Sequence, residues 1–166
     1  MPLRVFPVAD VPGVRFSDDF GDARSDGRRH AGNDIFAPEG TPVLAPDDGV
    51  LTLRDESLGG RSFYVHADDG VVYFGTHLSG WEGAERRVRA GEVIGYVGHG
   101  GNAAGTPDHL HFEMHPPGQG AANPFPLLRA AERRGIETQG GGGHVLPWFL
   151  VLGALGAVGY AYRDKL

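Results

Sequence analysis

The sequence predicts a mainly β protein of short strands, followed by an apolar helix at the C-terminus. Glycine and proline, 28 and 12 of 166 residues, are spread along the chain, which is typical of many turns between short strands. Apolar and polar residues alternate in several short runs between residues 29 and 127, as in strands that bury one face. A stretch without charge, residues 145–162, indicates the C-terminal helix.

The first predicted strands follow an N-terminal segment, residues 1–28, that is rich in turns. Two short apolar runs bounded by turn residues lie between Gly40 and Leu51. Residues 61–66 and 71–74 flank Ala67-Asp68-Asp69-Gly70, which predicts a hairpin because turn-forming residues separate two apolar runs.

The later strands form a second group. Residues 88–98 predict a strand–turn–strand unit, and residues 110–114 alternate and end the strand series. Residues 40–51 and 89–98 resemble each other, since each places a glycine turn before a strand. This similarity indicates either an internal repeat or two unrelated hairpins.

The C-terminal part predicts a different organisation. Residues 126–134 predict a short helix that ends a strand-rich domain spanning residues 29–134, and residues 135–144 predict a glycine-rich linker. As a helix, residues 145–162 would be about 27 Å long, close to the hydrocarbon thickness of a membrane. We therefore predict a transmembrane helix there, with a buried or interfacial helix of an assembly as the alternative.

Composition limits the classes of partner and metal site. The formal net charge is -6 and the pI about 5.7, and no basic run stands out, so nucleic acid is not expected as a partner. The chain has no cysteine, so a metal site must use nitrogen and oxygen ligands. We do not expect the first residues to form a secretory signal peptide, because they contain no long apolar run.

Histidines and one aspartate in three separate stretches predict a metal-dependent hydrolase. The five residues are His30, Asp34, His77, His109 and His111. His109 and His111 lie two apart on a predicted strand, so both imidazoles face one side. A hydrolytic zinc site keeps three protein ligands and leaves a position for water, so the five residues divide into three ligands and two groups for proton transfer.

Around these residues, three stretches resemble the M23 peptidase family of LytM/lysostaphin-type zinc metallopeptidases. They read HAGNDIFAPEGTPVLAPDDGVL, VYFGTHLS and GNAAGTPDHLHFEM, in that order, and the resemblance covers residues 28–127. It implies a domain of the duplicated-hybrid-motif type, with an antiparallel β-sheet that forms the floor of a long groove. It also implies endopeptidase action on the peptide cross-links of bacterial peptidoglycan.

The same resemblance implies roles for the five residues. The zinc ligands fall on His30, Asp34 and His111, and the two histidines that assist catalysis fall on His77 and His109. We expect His109 to act as general base and His77 to stabilise the oxyanion, with an exchange of these two roles left open. Loops near residues 58–61 and 98–107 are expected to form the walls of the groove.

Two other functions are also compatible with these residues. One is a membrane-tethered activator or binding module that retains zinc without cleaving; the other is a zinc hydrolase for small D-amino-acid peptides. We expect the chain to be anchored in a membrane, with its domain facing the periplasm or the cell exterior. This orientation is expected because Arg163 and Lys165 follow the apolar segment, and positive residues favour the cytoplasmic side. The peptide bond that is cut is left open between a D-Ala–diaminopimelate link, a glycine bridge and another bond.

Overall fold

Two antiparallel sheets and one long helix make up residues 3–140, the part of the chain that the computed structural model describes. The predicted mainly β fold with antiparallel pairing is confirmed. The elements are β1 Arg15–Phe16, β2 Asn33–Phe36, β3 Pro42–Leu44, β4 Gly49–Glu56, β5 Gly60–Ala67, β6 Val72–Thr76, β7 Gly80–Trp81, β8 Arg86–Val88, β9 Val93–Tyr96, β10 His109–His115 and α1 Phe125–Gly140.

The larger sheet has seven strands in the order β1-β2-β10-β6-β5-β4-β8. The last strand in the sequence, β10, therefore lies inside the sheet, between β2 and β6. In this register His111 is opposite Asp34 on β2 and opposite Thr76 on β6. The predicted hairpin is confirmed as β5 and β6, and β6 leads directly to His77.

The smaller sheet has the order β3-β9-β7. It joins the two similar segments, residues 40–51 and 89–98, because β3 of the first pairs with β9 of the second. Each segment, taken with the strand next to it, divides between the two sheets: β3 and β9 pair in the smaller sheet, whereas β4, which follows β3, and β8, which precedes β9, pair in the larger one. Neither segment is a hairpin, since each crosses from one sheet to the other at its turn. This reciprocal pairing favours the internal repeat over two unrelated hairpins.

The core contains the apolar faces of the strands together with the buried side of α1. On β10, Leu110 and Phe112 are completely buried, which confirms that they face away from the side of His109 and His111. A large apolar side chain contributes about 1.5–3 kcal/mol when it is fully buried. The largest fully buried side chains are Tyr73, Phe63, Phe112, Leu3, Ile35, Leu51, Ile94, Leu110 and Leu128.

Helix α1 is longer than the short helix predicted for residues 126–134. The side chain of Asn123 accepts a hydrogen bond from the amide of Phe125 at 2.9 Å, which satisfies a free N–H at the start of α1. The helix continues beyond Arg134 to Gly140, whereas the predicted helix ends at residue 134. A single glycine costs a helix only about 1 kcal/mol relative to alanine, which is too little to end it.

Within residues 3–140, no helix has the length and apolar character needed to cross a membrane. The transmembrane helix predicted for residues 145–162 lies outside the described residues.

Candidate active site

Three predicted ligands converge at the junction of β2 and β10. The Nε2 atom of His30 lies 3.1 Å from Oδ1 of Asp34 and 2.8 Å from Nδ1 of His111. The third separation, from His111 Nδ1 to Asp34 Oδ1, is 3.0 Å. Ligand atoms at about 2.0–2.2 Å from a tetrahedral zinc lie about 3.3–3.6 Å from one another, so a zinc ion would need these atoms to move apart by only about half an ångström. The donor set and its spacing therefore fit a divalent zinc ion.

The N-terminal segment holds His30 and Asp34 in place. Nδ1 of His30 donates to the backbone carbonyl of Asp19 at 2.9 Å, which leaves Nε2 free as a ligand. Nη2 of Arg24 donates to Oδ2 of Asp34 at 2.7 Å, so that Oδ1 stays available on the other side. Arg24 also lies 2.7 Å from His30 Nδ1, but when Nδ1 carries the proton both groups are donors. We therefore assign Arg24 as a hydrogen-bond donor to the carboxylates of Asp19 and Asp34 and not to His30.

A different carboxylate orients His111. Nε2 of His111 donates to Oε1 of Glu113 at 2.8 Å, which leaves Nδ1 free to bind a metal. The second oxygen of Glu113 accepts a hydrogen bond from His115 Nε2 at 2.7 Å. A side chain at Gly32 is not compatible with this packing, because its Cβ would lie 2.2 Å from the backbone oxygen of Phe112. The absence of a side chain at Gly32 thus allows the segment that precedes β2 to lie close to the backbone of β10.

The charges of the site favour a cation. Burial alone would raise the pKa of Asp34, but hydrogen bonds from His111 and His30 hold it well below its usual range. Burial alone would lower the pKa of His30, yet hydrogen bonds to Asp19 and Asp34 raise it to about 9. The pKa of Glu113 is lowered in the same way by His111 and His115, against the effect of burial. Ionised carboxylates therefore surround His30 and His111 at neutral pH, and a cation bound there would replace the additional proton that this environment holds on His30.

The other two predicted residues, His77 and His109, lie beside the three ligands. Their ring centroids are 4.9 Å apart, and both side chains are buried. Nδ1 of His77 donates to the carbonyl of Gly100 at 2.9 Å, and Nδ1 of His109 donates to the carbonyl of Pro107 at 2.8 Å. Since these partners are only acceptors, each Nε2 atom carries a lone pair. Nε2 of His109 lies 3.9 Å from Asp34 Oδ1.

The backbone of His77 is strained. Its φ angle is 70°, and it is the one non-glycine residue with a positive φ among residues 3–140. Such a conformation costs about 1–3 kcal/mol and persists where neighbouring contacts maintain it. Here the amide of His77 donates to Gly59 and its carbonyl accepts from the amide of Gly100, both at 3.2 Å. Burial, followed by the charge of His109, lowers the pKa of His77 to about 4, so its imidazole is neutral at neutral pH.

All five predicted residues line one open cleft of about 530 Å³. The two predicted walls are present, one near Leu58 and Gly59 and the other at residues 102–107. The sequence did not predict a third wall, which residues 24–31 form. Further lining residues are Glu56, Tyr64, Phe74 and Glu113.

Sequence reasoning missed the supporting roles of Asp19, Arg24 and His115. Arg24 lies 10 positions before its partner Asp34, and Asp19 lies 11 positions before His30. No regular spacing links these pairs, because the chain turns back between them. For His115 a signal existed, since it lies two positions after Glu113 on the same strand and so shares its face.

A second group of metal-ligand side chains lies outside the cleft. One ligand atom each from Glu39, His99 and Asp108 lies within 4.8 Å of the other two, as in the first group. Glu39 and His99 are exposed, and Nδ1 of His99 lies 2.6 Å from Asp108. We call Glu39, His99 and Asp108 the exposed cluster, and His30, Asp34 and His111 the buried cluster.

An open cleft with a His–Asp–His donor set and two further imidazoles is typical of a metal-dependent hydrolase. A family model supports this class, since the model of peptidase family M23 matches residues 28–124. The chain belongs to peptidase family M23.

Known proteins show the same similarity. The DD-carboxypeptidase/endopeptidase Mpg of Neisseria meningitidis is 40% identical over 118 residues, which cover 68% of this chain and 27% of that protein. The L-Ala–D-Glu endopeptidase of Bacillus subtilis is 32% identical over 142 residues, or 77% of this chain and 44% of that protein. The chain thus spans about a quarter to under half of these relatives' length.

Among solved structures, the catalytic domain of the antimicrobial peptidase lysostaphin from Staphylococcus simulans is similar. The two share 28% sequence identity at a TM-score of 0.63, over 70% of this chain and 92% of that domain.

Proposed function

We propose that this chain is a zinc endopeptidase that hydrolyses the peptide cross-links of bacterial peptidoglycan. The observation that carries the proposal is the convergence of the buried cluster in an open cleft that also contains His77 and His109. The relatives from Neisseria meningitidis and Bacillus subtilis are endopeptidases by name, which supports the same reaction. An open cleft suits an extended peptide better than a small enclosed substrate.

The buried cluster would hold the zinc ion through one atom of each side chain: Nε2 of His30, Oδ1 of Asp34 and Nδ1 of His111. A zinc ion bound there would supply a Lewis acid that polarises the scissile carbonyl and acidifies water. Glu113 and Asp19 keep the two imidazoles in the tautomers that this binding requires.

We propose that His109 is the general base. Its Nε2 carries a lone pair, so it accepts a proton from the attacking water and then delivers it to the leaving amine. The carboxylate of Asp34, 3.9 Å away, stabilises the positive charge that His109 carries between these steps. A role of His77 as oxyanion donor requires a proton on Nε2, whereas its hydrogen bonds place the proton on Nδ1. We therefore propose that His77 orients the attacking water by accepting its hydrogen bond.

Digestion of purified sacculi tests the proposed reaction. The full chain, loaded with zinc, is expected to release muropeptides with a new amine terminus, and a chelator should stop the release until zinc is added back. Mass analysis of the fragments identifies the bond that is cut. Intact sacculi, from protein shown to be folded and zinc-loaded, would contradict the endopeptidase and favour the non-cleaving activator.

We also propose that residues 145–162 tether the chain to a membrane, with the peptidase domain on the periplasmic or exterior side. The uncharged, apolar sequence of the segment supports this. The test is liposome flotation of the full chain beside a variant with Val151→Lys and Leu155→Lys. We expect the unmodified chain to float and the variant to remain at the bottom, and flotation of both would contradict the tether.

A further inference from the structure

We propose that Arg28 and Arg29 form a subsite that binds a free carboxylate of the peptide substrate. This inference rests on the proposed endopeptidase function and narrows its substrate class to peptides that carry free carboxylates near the scissile bond. Both arginines line the same cleft as the buried cluster.

The wall that carries these arginines is a hairpin whose second arm leads into the metal centre. A short 3-10 turn, Ser25–Gly27, forms its tip. Backbone contacts between the two arms are Gly21 N to His30 O at 2.8 Å, His30 N to Asp22 O at 2.9 Å, Arg24 N to Arg28 O at 2.9 Å and a bridge between Ala23 and Arg29. The arms therefore fix Arg28 and Arg29 relative to His30, which follows them directly.

The guanidinium groups of Arg28 and Arg29 differ in their partners from that of Arg24, which lies on the other arm of the hairpin. Arg24 pairs with Asp34 at 2.7 Å and with Asp19 at 3.3 Å, so its charge is neutralised within the protein. Arg28 contacts only the hydroxyl of Ser25, at 3.4 Å, and Arg29 contacts the carbonyl of Gly21, at 3.1 Å. Neither forms an ion pair with a carboxylate in the part of the chain that the structure describes.

These two charges are not part of a generally basic surface. The chain as a whole is acidic, with a formal net charge of -6. Other exposed arginines, such as Arg54 and Arg87, pair with Glu85 and Asp68. The wall thus presents positive charge at the place where a substrate would lie.

A planar guanidinium binds a carboxylate through two parallel hydrogen bonds, which gives both affinity and orientation. The stem peptides of peptidoglycan carry free carboxylates, whereas the interior of a glycine bridge has none. A carboxylate held on the arm next to His30 would fix the position of the neighbouring peptide bond relative to the metal centre. The subsite therefore favours stem-peptide substrates over uncharged bridges.

Two synthetic substrates test this inference. Both are the same cross-linked stem-peptide dimer; one keeps its free carboxylates and the other has each carboxylate converted to a carboxamide. For the zinc-loaded full chain we expect kcat/KM to be about tenfold or more higher for the carboxylate form, mainly through a lower KM. The preference should weaken as the salt concentration rises, because salt screens exposed charges.

Arg28→Gln combined with Arg29→Gln is the decisive variant, with Arg87→Gln combined with Arg89→Gln as a control of equal charge change outside the cleft. The cleft variant should lose the preference, so that its ratio of kcat/KM for the two substrates approaches one. The control should keep the ratio of the unmodified chain. An unmodified chain that cleaves both forms equally, or a cleft variant that keeps the ratio, overturns the subsite and leaves the endopeptidase intact.

A binding measurement tests the subsite independently of the proposed endopeptidase reaction. If the zinc-loaded chain does not cleave the dimers, calorimetric titration of both forms into it measures the carboxylate preference as a difference in binding alone. If neither dimer is cleaved but the carboxylate form binds about tenfold more tightly, and the cleft variant removes this difference, the subsite holds and the proposed reaction fails. Equal binding of both forms contradicts the subsite.

Discussion

The buried cluster and the exposed cluster offer a comparison within one molecule. Each brings three ligand atoms within 4.8 Å of one another, and each contains histidine and aspartate. In the buried cluster, Asp19, Arg24 and Glu113 hold the ligand side chains by further hydrogen bonds. The exposed cluster has only the contact between His99 and Asp108, and residues 3–140 supply no hydrogen bond to the carboxylate of Glu39.

The difference shows that proximity of ligand atoms is not sufficient to define a metal site. A ligand must also be held in the correct tautomer and orientation, which here depends on partners behind it. Burial adds to this effect, because electrostatic attraction to a cation is weakened less by solvent than at the surface. We therefore expect metal binding to depend on the buried cluster and not on the exposed cluster, which supplies matched controls.

The largest effect is expected from removal of a ligand in the buried cluster. Asp34→Asn should abolish hydrolysis and raise the dissociation constant for zinc by about a hundredfold or more, since each ligand contributes roughly a third to a quarter of a binding energy of about 10–16 kcal/mol. Competition with a zinc chelator measures the affinity. The control is Asp108→Asn, and equal losses in both variants would contradict the difference between the clusters.

Loss of the general base should reduce the rate without reducing metal affinity. His109→Asn is expected to lower kcat by about 10²–10⁴-fold while zinc binding remains as in the unmodified chain. Single-turnover kinetics on a defined peptide and chelator competition report the two quantities separately. A large loss of zinc affinity in this variant would place His109 among the ligands instead.

The supporting carboxylate should have an intermediate effect. Glu113→Gln weakens the orientation of His111, and we expect about a 10–100-fold loss of zinc affinity. Glu39→Gln, the matched change in the exposed cluster, should leave the affinity unchanged. If Glu113→Gln retains full affinity, the hydrogen bond at 2.8 Å does not position the ligand.

The smallest effect is expected in the exposed cluster itself. His99→Asn should change neither the zinc content after dialysis nor kcat/KM, because His99 has no support beyond Asp108 and lies outside the cleft. Elemental analysis of the dialysed protein should give one zinc per chain before and after the substitution. Two zinc ions per unmodified chain, falling to one in the variant, would remove the distinction between the clusters.

Much of the fold followed from local patterns. The hairpin of β5 and β6, the alternation on β10 and the existence of a helix near residue 126 depend on neighbours in the sequence. The length of α1 was underestimated, since a glycine at position 135 does not end it. Local pattern also did not predict that each similar segment divides between two sheets, because strand partners lie far apart along the chain.

The sequence by itself determined the chemistry that is available: five residues in three stretches, no cysteine, and the side of β10 on which His109 and His111 lie. The tertiary structure decided which atoms meet. His111 and Asp34 are 77 positions apart and become neighbours only through the register of β2 against β10. That register depends on the packing of the whole sheet. The tautomer of His30 was also decided by the tertiary structure, because the chain must turn back to bring the carbonyl of Asp19 to its Nδ1 atom.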